Sequence, residues 1–234
     1  MKRAIGCIAT ITILLAPAGC SKQEFPTQSQ MFTSDSPALL QLMPVPGSAT
    51  DAVSALQWCF NHRNWGQLET LLPSDYEFIF APADSAGNAF TGRRLVRDAE
   101  ITCEEHLFQT GVAHAPPASS IQLVFERDLV ALPDPRPGKT YPWHQTVRTQ
   151  VTLSIQAGDQ EYRVLGHALF HAVRGDSAAI PPDLAARGYH ADPNRWWIER
   201  WEDETGEGPG GATRVESPLP ARTATWGSVK ALYR

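Results

Sequence analysis

An α+β fold is predicted by two contrasting periodicities: apolar residues recur at helical spacing early in the chain, and β-rich runs succeed one another later. A third observation sets the character of the sheet. Val147, Thr149, Val151, Leu153 and Ile155 alternate with Thr146, Arg148, Gln150, Thr152 and Ser154, so one face is apolar and the other polar. Such a strand belongs to a curved antiparallel sheet covered on one side by the N-terminal helices.

The elements follow in order. Thr50 caps a helix whose buried side carries Ala52, Leu56, Cys59 and Phe60. Trp65, Leu68, Leu71 and Leu72 mark a second, short helix. Pro73-Ser74-Asp75 then turns the chain into an aromatic strand, Tyr76 to Phe80. Leu95, Ala99, Cys103 and Leu107 recur every four residues, which predicts an amphipathic helix over 94–108. Strands are predicted from Ile121 to Val130, Gln145 to Ile155, Tyr162 to Val173 and Arg195 to Asp203, with Pro133–Gly138, Gly158-Asp159 and Pro181-Pro182 as breaks.

The flanks have a different composition. Met1-Lys2-Arg3 precedes an uncharged run, Ala4 to Ala16, of signal-peptide length and too short to span a bilayer. Pro17-Ala18-Gly19-Cys20 resembles a lipobox, with Pro17 standing where an aliphatic residue is usual. Residues 1–20 are therefore expected to be a lipoprotein-type signal peptide and Cys20 the acylated residue. Two or three acyl chains, at roughly 0.8 kcal/mol per buried CH2, anchor stably in a lipid bilayer. Ser21, where an Asp would retain the protein at the inner membrane, directs an exported chain to the periplasmic face of the outer membrane in a two-membrane cell. Residues 21–49 are rich in Gln, Ser, Thr and Pro and read as a tether. The domain is placed at 50–203. Residues 204–234 read as a Gly/Pro-rich linker and a tail whose Trp226-Gly227 and Val229–Tyr233 fold back onto the domain or meet a partner.

Composition narrows the function. A hydrophobic fraction of 42%, seven tryptophans and nine phenylalanines suffice for one core. A net charge of -5 without any basic block argues against nucleic acid as a partner.

The order helix, helix, strand, long helix and antiparallel strands resembles the nuclear transport factor two-like superfamily, cystatin-like α+β cones that include ketosteroid-isomerase-like and polyketide-cyclase-like proteins. The resemblance covers roughly residues 50–203. It is carried by Ala52–Leu72 running into Pro73-Ser74-Asp75-Tyr76-Glu77-Phe78, and by Trp196-Trp197-Ile198-Glu199-Arg200-Trp201-Glu202-Asp203. The Trp226-Gly227 and Lys230 segment is similar to the tails of bacterial lipoproteins bearing such a domain. The resemblance implies that any enzyme of this kind places an acidic or histidine base in an apolar cone.

Candidate cavity residues by strand parity are Glu126, Asp128, Arg148, His167, His171 and Glu199. The alternative for each is a surface or cross-strand polar partner. Trp197 and Trp201 alternate onto one face and Trp196 onto the other, as core or as an aromatic platform for a ligand or partner. His167 and His171 form His-x-x-x-His, but on a strand their imidazoles stand roughly 13 Å apart, too far for one zinc ion. No metal or other cofactor is expected. Export permits a disulfide between Cys59 and Cys103, whose loop closure would stabilise by roughly 4 kcal/mol. Both lie on apolar helix faces, so core thiols are the simpler account. Glu104-Glu105 and Glu202-Asp203-Glu204 read as solvated charge runs. The leading expectation is a non-catalytic, membrane-tethered domain binding a small apolar ligand or an envelope protein. An isomerase- or cyclase-type enzyme and a structural homodimer are the alternatives.

Overall fold

The computed structural model describes residues 42–205 and 221–234. The segment 1–20, Cys20, most of the 21–49 tether and residues 206–220 lie outside the described residues. Helix α1, Ala49–Asn61, starts one residue before the predicted cap: the Ser48 side chain, not Thr50, accepts from the Asp51 N–H. It buries Ala49, Ala52, Val53, Ala55, Leu56, Cys59 and Phe60, the stripe its spacing predicts. The short helix α2, Trp65–Leu68, leads into strand β1, Glu77–Ile79. Strand β2, Arg94–Val96, runs straight into helix α3, Arg97–Glu105, which ends in a wider turn at His106–Thr110.

The rest is mainly sheet. Strands β3 (Ser120–Phe125), β4 (Ala131–Pro133), β5 (His144–Ala157), β6 (Gln160–Arg174) and β7 (Trp196–Thr205) follow, with the short helix α4 (Pro182–Ala186) between the last two. Strand β8 (Ala221–Thr223) and helix α5 (Trp226–Leu232) end the chain. The strand order is β2-β1-β7-β6-β5-β3, with β4 on the far part of β5 and β8 beside β6. The sheet is curved and unclosed. It is mixed rather than antiparallel throughout, because β1 runs parallel to β7 and β8 parallel to β6. The long β5–β6 hairpin turns at Gly158, whose positive φ of 55° suits a residue without Cβ.

Two departures from the sequence reading bear on the site. The domain does not end at 203: β7 continues to Thr205, and the tail contributes β8 and α5 to the same body. The second is a bulge in β7. His171 pairs with Arg200 but Ala172 with Ile198, so Glu199 is an extra residue on that strand and reverses the alternation beyond it. Trp196, Ile198 and Trp201 therefore all join the main core, while Trp197 points the other way into a satellite cluster with Val173 and Leu184. Trp197 and Trp201 do not share a face, and both are buried. Neither offers a platform. Cys59 and Cys103 are separate buried thiols, so the bridge is not formed.

Candidate functional site

The interior that sheet and helices enclose is occupied by the chain's own C-terminus. On α5 and just beyond it, Trp226, Val229, Lys230 and Tyr233 stand at i, i+3, i+4 and i+7, one face of a helix, and all are buried. Trp226 stacks on Trp201 at 5.7 Å and meets Phe60 edge-on at 5.5 Å. The void bounded by Phe60, Leu123, Val151, Trp201 and Trp226 has about 0 Å³ for a water-sized sphere. The roomier concavity of about 630 Å³ is an open groove on the outside, beside Phe90, Arg94, Asp98 and Arg234.

Lys230 is the unusual member of the buried stripe. Its ammonium lies 2.7 Å from Glu100 Oε1 and 2.5 Å from Glu104 Oε1, and all three side chains are at most 3% exposed. The rings of Trp226, Phe78 and Trp201 stand at 4.6, 4.7 and 5.5 Å, a cation–π cage around one charge. Tyr76 donates its hydroxyl to Glu100 Oε1 at 3.0 Å. Glu100 and Glu104 are one turn apart on α3, so both reach the same point. Burial, eased by Lys230 and aggravated by Glu100, raises the Glu104 carboxyl to about 7. Burial would push the lysine down, but the two carboxylates outweigh it and hold Lys230 above its ordinary value. Burial, together with the neighbouring Glu100, also keeps the Tyr76 phenol neutral well beyond its usual range.

A second pair of carboxylates receives the start of α5. Asp84 Oδ2 accepts from the Thr225 hydroxyl at 2.6 Å, and Asp203 Oδ1 accepts from the Thr205 hydroxyl and N–H at 2.6 and 2.9 Å. Thr205 Oγ1 in turn accepts the Trp226 N–H at 3.1 Å. Asp203 is raised to about 6, chiefly by burial, against hydrogen bonds from Thr205 and with the Asp84 charge adding to the rise. At the other end, the Tyr233 hydroxyl donates to Pro116 O at 2.8 Å, and His106 Nδ1 meets Tyr233 O at 2.8 Å.

Five of the six cavity candidates from strand parity lie elsewhere. Glu126 and Asp128 are exposed in the turn after β3, and Arg148 is exposed on the polar sheet face, paired with Glu204 at 2.8 Å. His167, opposite Gln150, is largely exposed yet also borders the void beside Trp201 and Trp226. His171 and Glu199 are buried, but in an ionic cluster at the bulge outside the cone. Asp134 Oδ2 meets His171 Nδ1 at 3.1 Å and Arg136 at 2.7 Å, and Glu199 accepts from Arg136 at 3.0 Å and from Lys139. The other imidazole nitrogen lies 3.3 Å from Glu202 Oε1 without hydrogen-bond alignment. Burial opposes ionisation of Asp134, yet the bonds from Arg136 and His171 lower it to about 2. Every charge in this cluster has a partner, as expected of a structural network. No group of three metal-binding side chains occurs among the described residues.

Its solved neighbours are nuclear transport factor 2-like and cystatin-like proteins. A candidate scytalone dehydratase from Novosphingobium aromaticivorans matches with a TM-score of 0.46 and 12% identity over 67% of this chain and 80% of that one. A nuclear transport factor 2-like superfamily protein from Salmonella enterica matches at 0.43 and 11%, over 70% and 93%. A second Novosphingobium aromaticivorans protein, with a cystatin-like fold, matches at 0.40 and 10%, over 70% and 80%. No protein-family model and no curated protein matches the sequence. The site is accordingly argued from this chain's own geometry.

Sequence reasoning missed Glu100, Glu104, Asp203 and Lys230, and took Glu104 and Asp203 for solvated charges. A usable signal was present: Glu100, Cys103 and Glu104 on α3 and Leu107 in the turn after it keep one helical spacing, and Glu100 and Glu104 meet Lys230.

Proposed function

We propose that this chain is an exported, lipid-anchored binding module, held at the bilayer through Cys20, which keeps its cone closed with its own C-terminal helix. In that state it acts through contact with an envelope protein rather than by turning over a small molecule inside the cone. The observation that carries this reading is the occupation of the interior by Trp226 and Lys230. An isomerase or cyclase needs standing room for substrate beside its base. Here the buried carboxylates are already engaged by α5. The anchor rests on the signal-like residues 1–20 alone.

Titration of the full chain with anilinonaphthalene sulfonate tests closure. The closed cone predicts no saturable binding to the wild type and its appearance in Trp226→Gly, which vacates an indole from the interior. Stoichiometric binding to the wild type, abolished by filling substitutions on the cone wall, would overturn the reading and restore a standing ligand pocket. Loss of membrane association in Cys20→Ser is expected independently.

A further inference from the structure

Resting on the closed-cone reading, we propose that the Lys230 ammonium occupies a binding site for a primary alkylammonium ligand, and that such a ligand displaces α5 from the cone. The site has the features by which proteins select organic cations. Apart from Trp226, which belongs to α5 and leaves with it, the faces of Phe78 and Trp201 stand 4.7 and 5.5 Å from the charge, two carboxylate oxygens accept from it, and the Tyr76 phenol donates to one of them. It also has unused capacity. Glu100 Oε2 and Glu104 Oε2 are buried without a hydrogen-bond partner among the described residues, so the two carboxylates offer more acceptors than the lysine engages.

The occupant is removable in a way a core lysine on a long helix is not. Helix α5 spans seven residues, Trp226–Leu232, too short to hold its shape in water without the contacts it makes here. The linker before it, residues 206–220, contains Gly206, Gly208, Gly210 and Gly211 in its sequence. Withdrawal of α5 would leave Glu100 and Glu104 without their cation and Asp84 without the Thr225 hydroxyl, which low-dielectric surroundings disfavour strongly. Opening is therefore coupled to the arrival of another cation. A primary ammonium on an aliphatic stem reproduces what Lys230 presents: three N–H donors on a compact charge set against the faces of Phe78 and Trp201. A quaternary ammonium lacks the donors, and a guanidinium is planar where the cage is built around a compact head.

The test uses the full chain and n-butylammonium, with n-butanol as its neutral counterpart. In the wild type, butylammonium is expected to speed amide hydrogen exchange across 226–232 at least tenfold, saturably, with butanol leaving it unchanged. In Lys230→Ala, where the head and stem are missing but the helix remains, butylammonium is expected to raise the thermal midpoint and tetramethylammonium is not. Unchanged exchange in the wild type at saturating amine overturns displacement, even if Lys230→Ala is rescued, and leaves a structural ion pair. Absence of rescue in a folded Lys230→Ala overturns ammonium recognition. Should that variant not fold, the wild-type exchange experiment decides alone. Failure of the closed-cone reading would show separately, as dye binding to the wild type without any amine.

Discussion

A lysine head wholly removed from water loses its hydration, and it stays charged only where anionic groups and polarisable faces offset that loss. Lys230 meets this condition with two carboxylates and three aromatic rings, and its pairing is the opposite of a surface ion pair, where solvent removes most of the gain. Removing one partner of a buried pair typically costs about 3–5 kcal/mol, because the other charge stays behind. The same burial governs the cysteines. Cys59 lies 3.7 Å from Met43 Sδ, Cys103 lies 3.9 Å from Lys230 O, and burial pushes both thiols up to about 12. Neither is a nucleophile at neutral pH. With Cys7 and Cys20 replaced by Ser, the native chain is expected to show no rapid reaction with Ellman's reagent and two reactive thiols in urea. No thiol in urea without reductant would mean that a bridge exists. Of the two readings the sequence left open for these residues, their place on the apolar stripes favoured the thiols. Spacing also places a charged residue, Glu104, on that stripe with Cys103, a signal easily passed over because charge in a stripe ordinarily marks the solvated side.

Helix α5 shows how an element escapes a reading based on composition. Its seven residues follow a glycine- and proline-rich stretch, and that stretch set the domain boundary too early. Its amphipathic spacing was short but present at Trp226, Val229, Lys230 and Tyr233. The bulge in β7 was not legible at all, since one extra residue leaves no trace in an apolar alternation that tryptophans on both sides already obscure. Docking of α5 has a sharp steric requirement at Gly227. A Cβ built there would lie 2.2 Å from Asp84 Oδ2 and 2.6 Å from the Phe80 ring, so only glycine lets the helix start this close to the carboxylate. Gly227→Ala is expected to destabilise the domain by about 1–3 kcal/mol, the usual range for overpacking, and to raise exchange in α5 more than in β5 and β6. Chemical denaturation and peptide-resolved exchange check this, and an unchanged α5 would show that the clamp at Asp84 yields without cost.

At the scale of the whole molecule, the α+β order, the long β5–β6 hairpin and the helix-covered face were legible because they rest on periodicity over many residues. The interior was not, because it is built from residues far apart in sequence, such as Glu100 and Lys230, 130 positions apart, that only the closed chain brings together. That interior makes an unusual prediction for pH. Asp203 is raised from 3.8 to about 6 and Glu104 from 4.5 to about 7, so the folded state holds these protons more tightly than the unfolded chain does. Their contribution to stability is fully present below the unfolded values and is lost as pH rises through 6 and 7. Asp134 has the opposite sign: its lowered value of about 2 contributes above pH 3.8 and fails as pH falls towards 2. The domain is therefore expected to be more stable at pH 5 than at pH 8, by on the order of 1–3 kcal/mol, since a tenfold difference in proton affinity between folded and unfolded chain is worth about 1.4 kcal/mol. Urea midpoints across that range should fall with rising pH in the wild type and fall less steeply in Asp203→Asn, which keeps the hydrogen bonds from Thr205 without the buried charge and leaves the slope due to Glu104. A wild-type profile that is flat or rises from pH 5 to 8 would show that these carboxylates ionise freely, and that α5 is held by its aromatic contacts with little help from the acids around it.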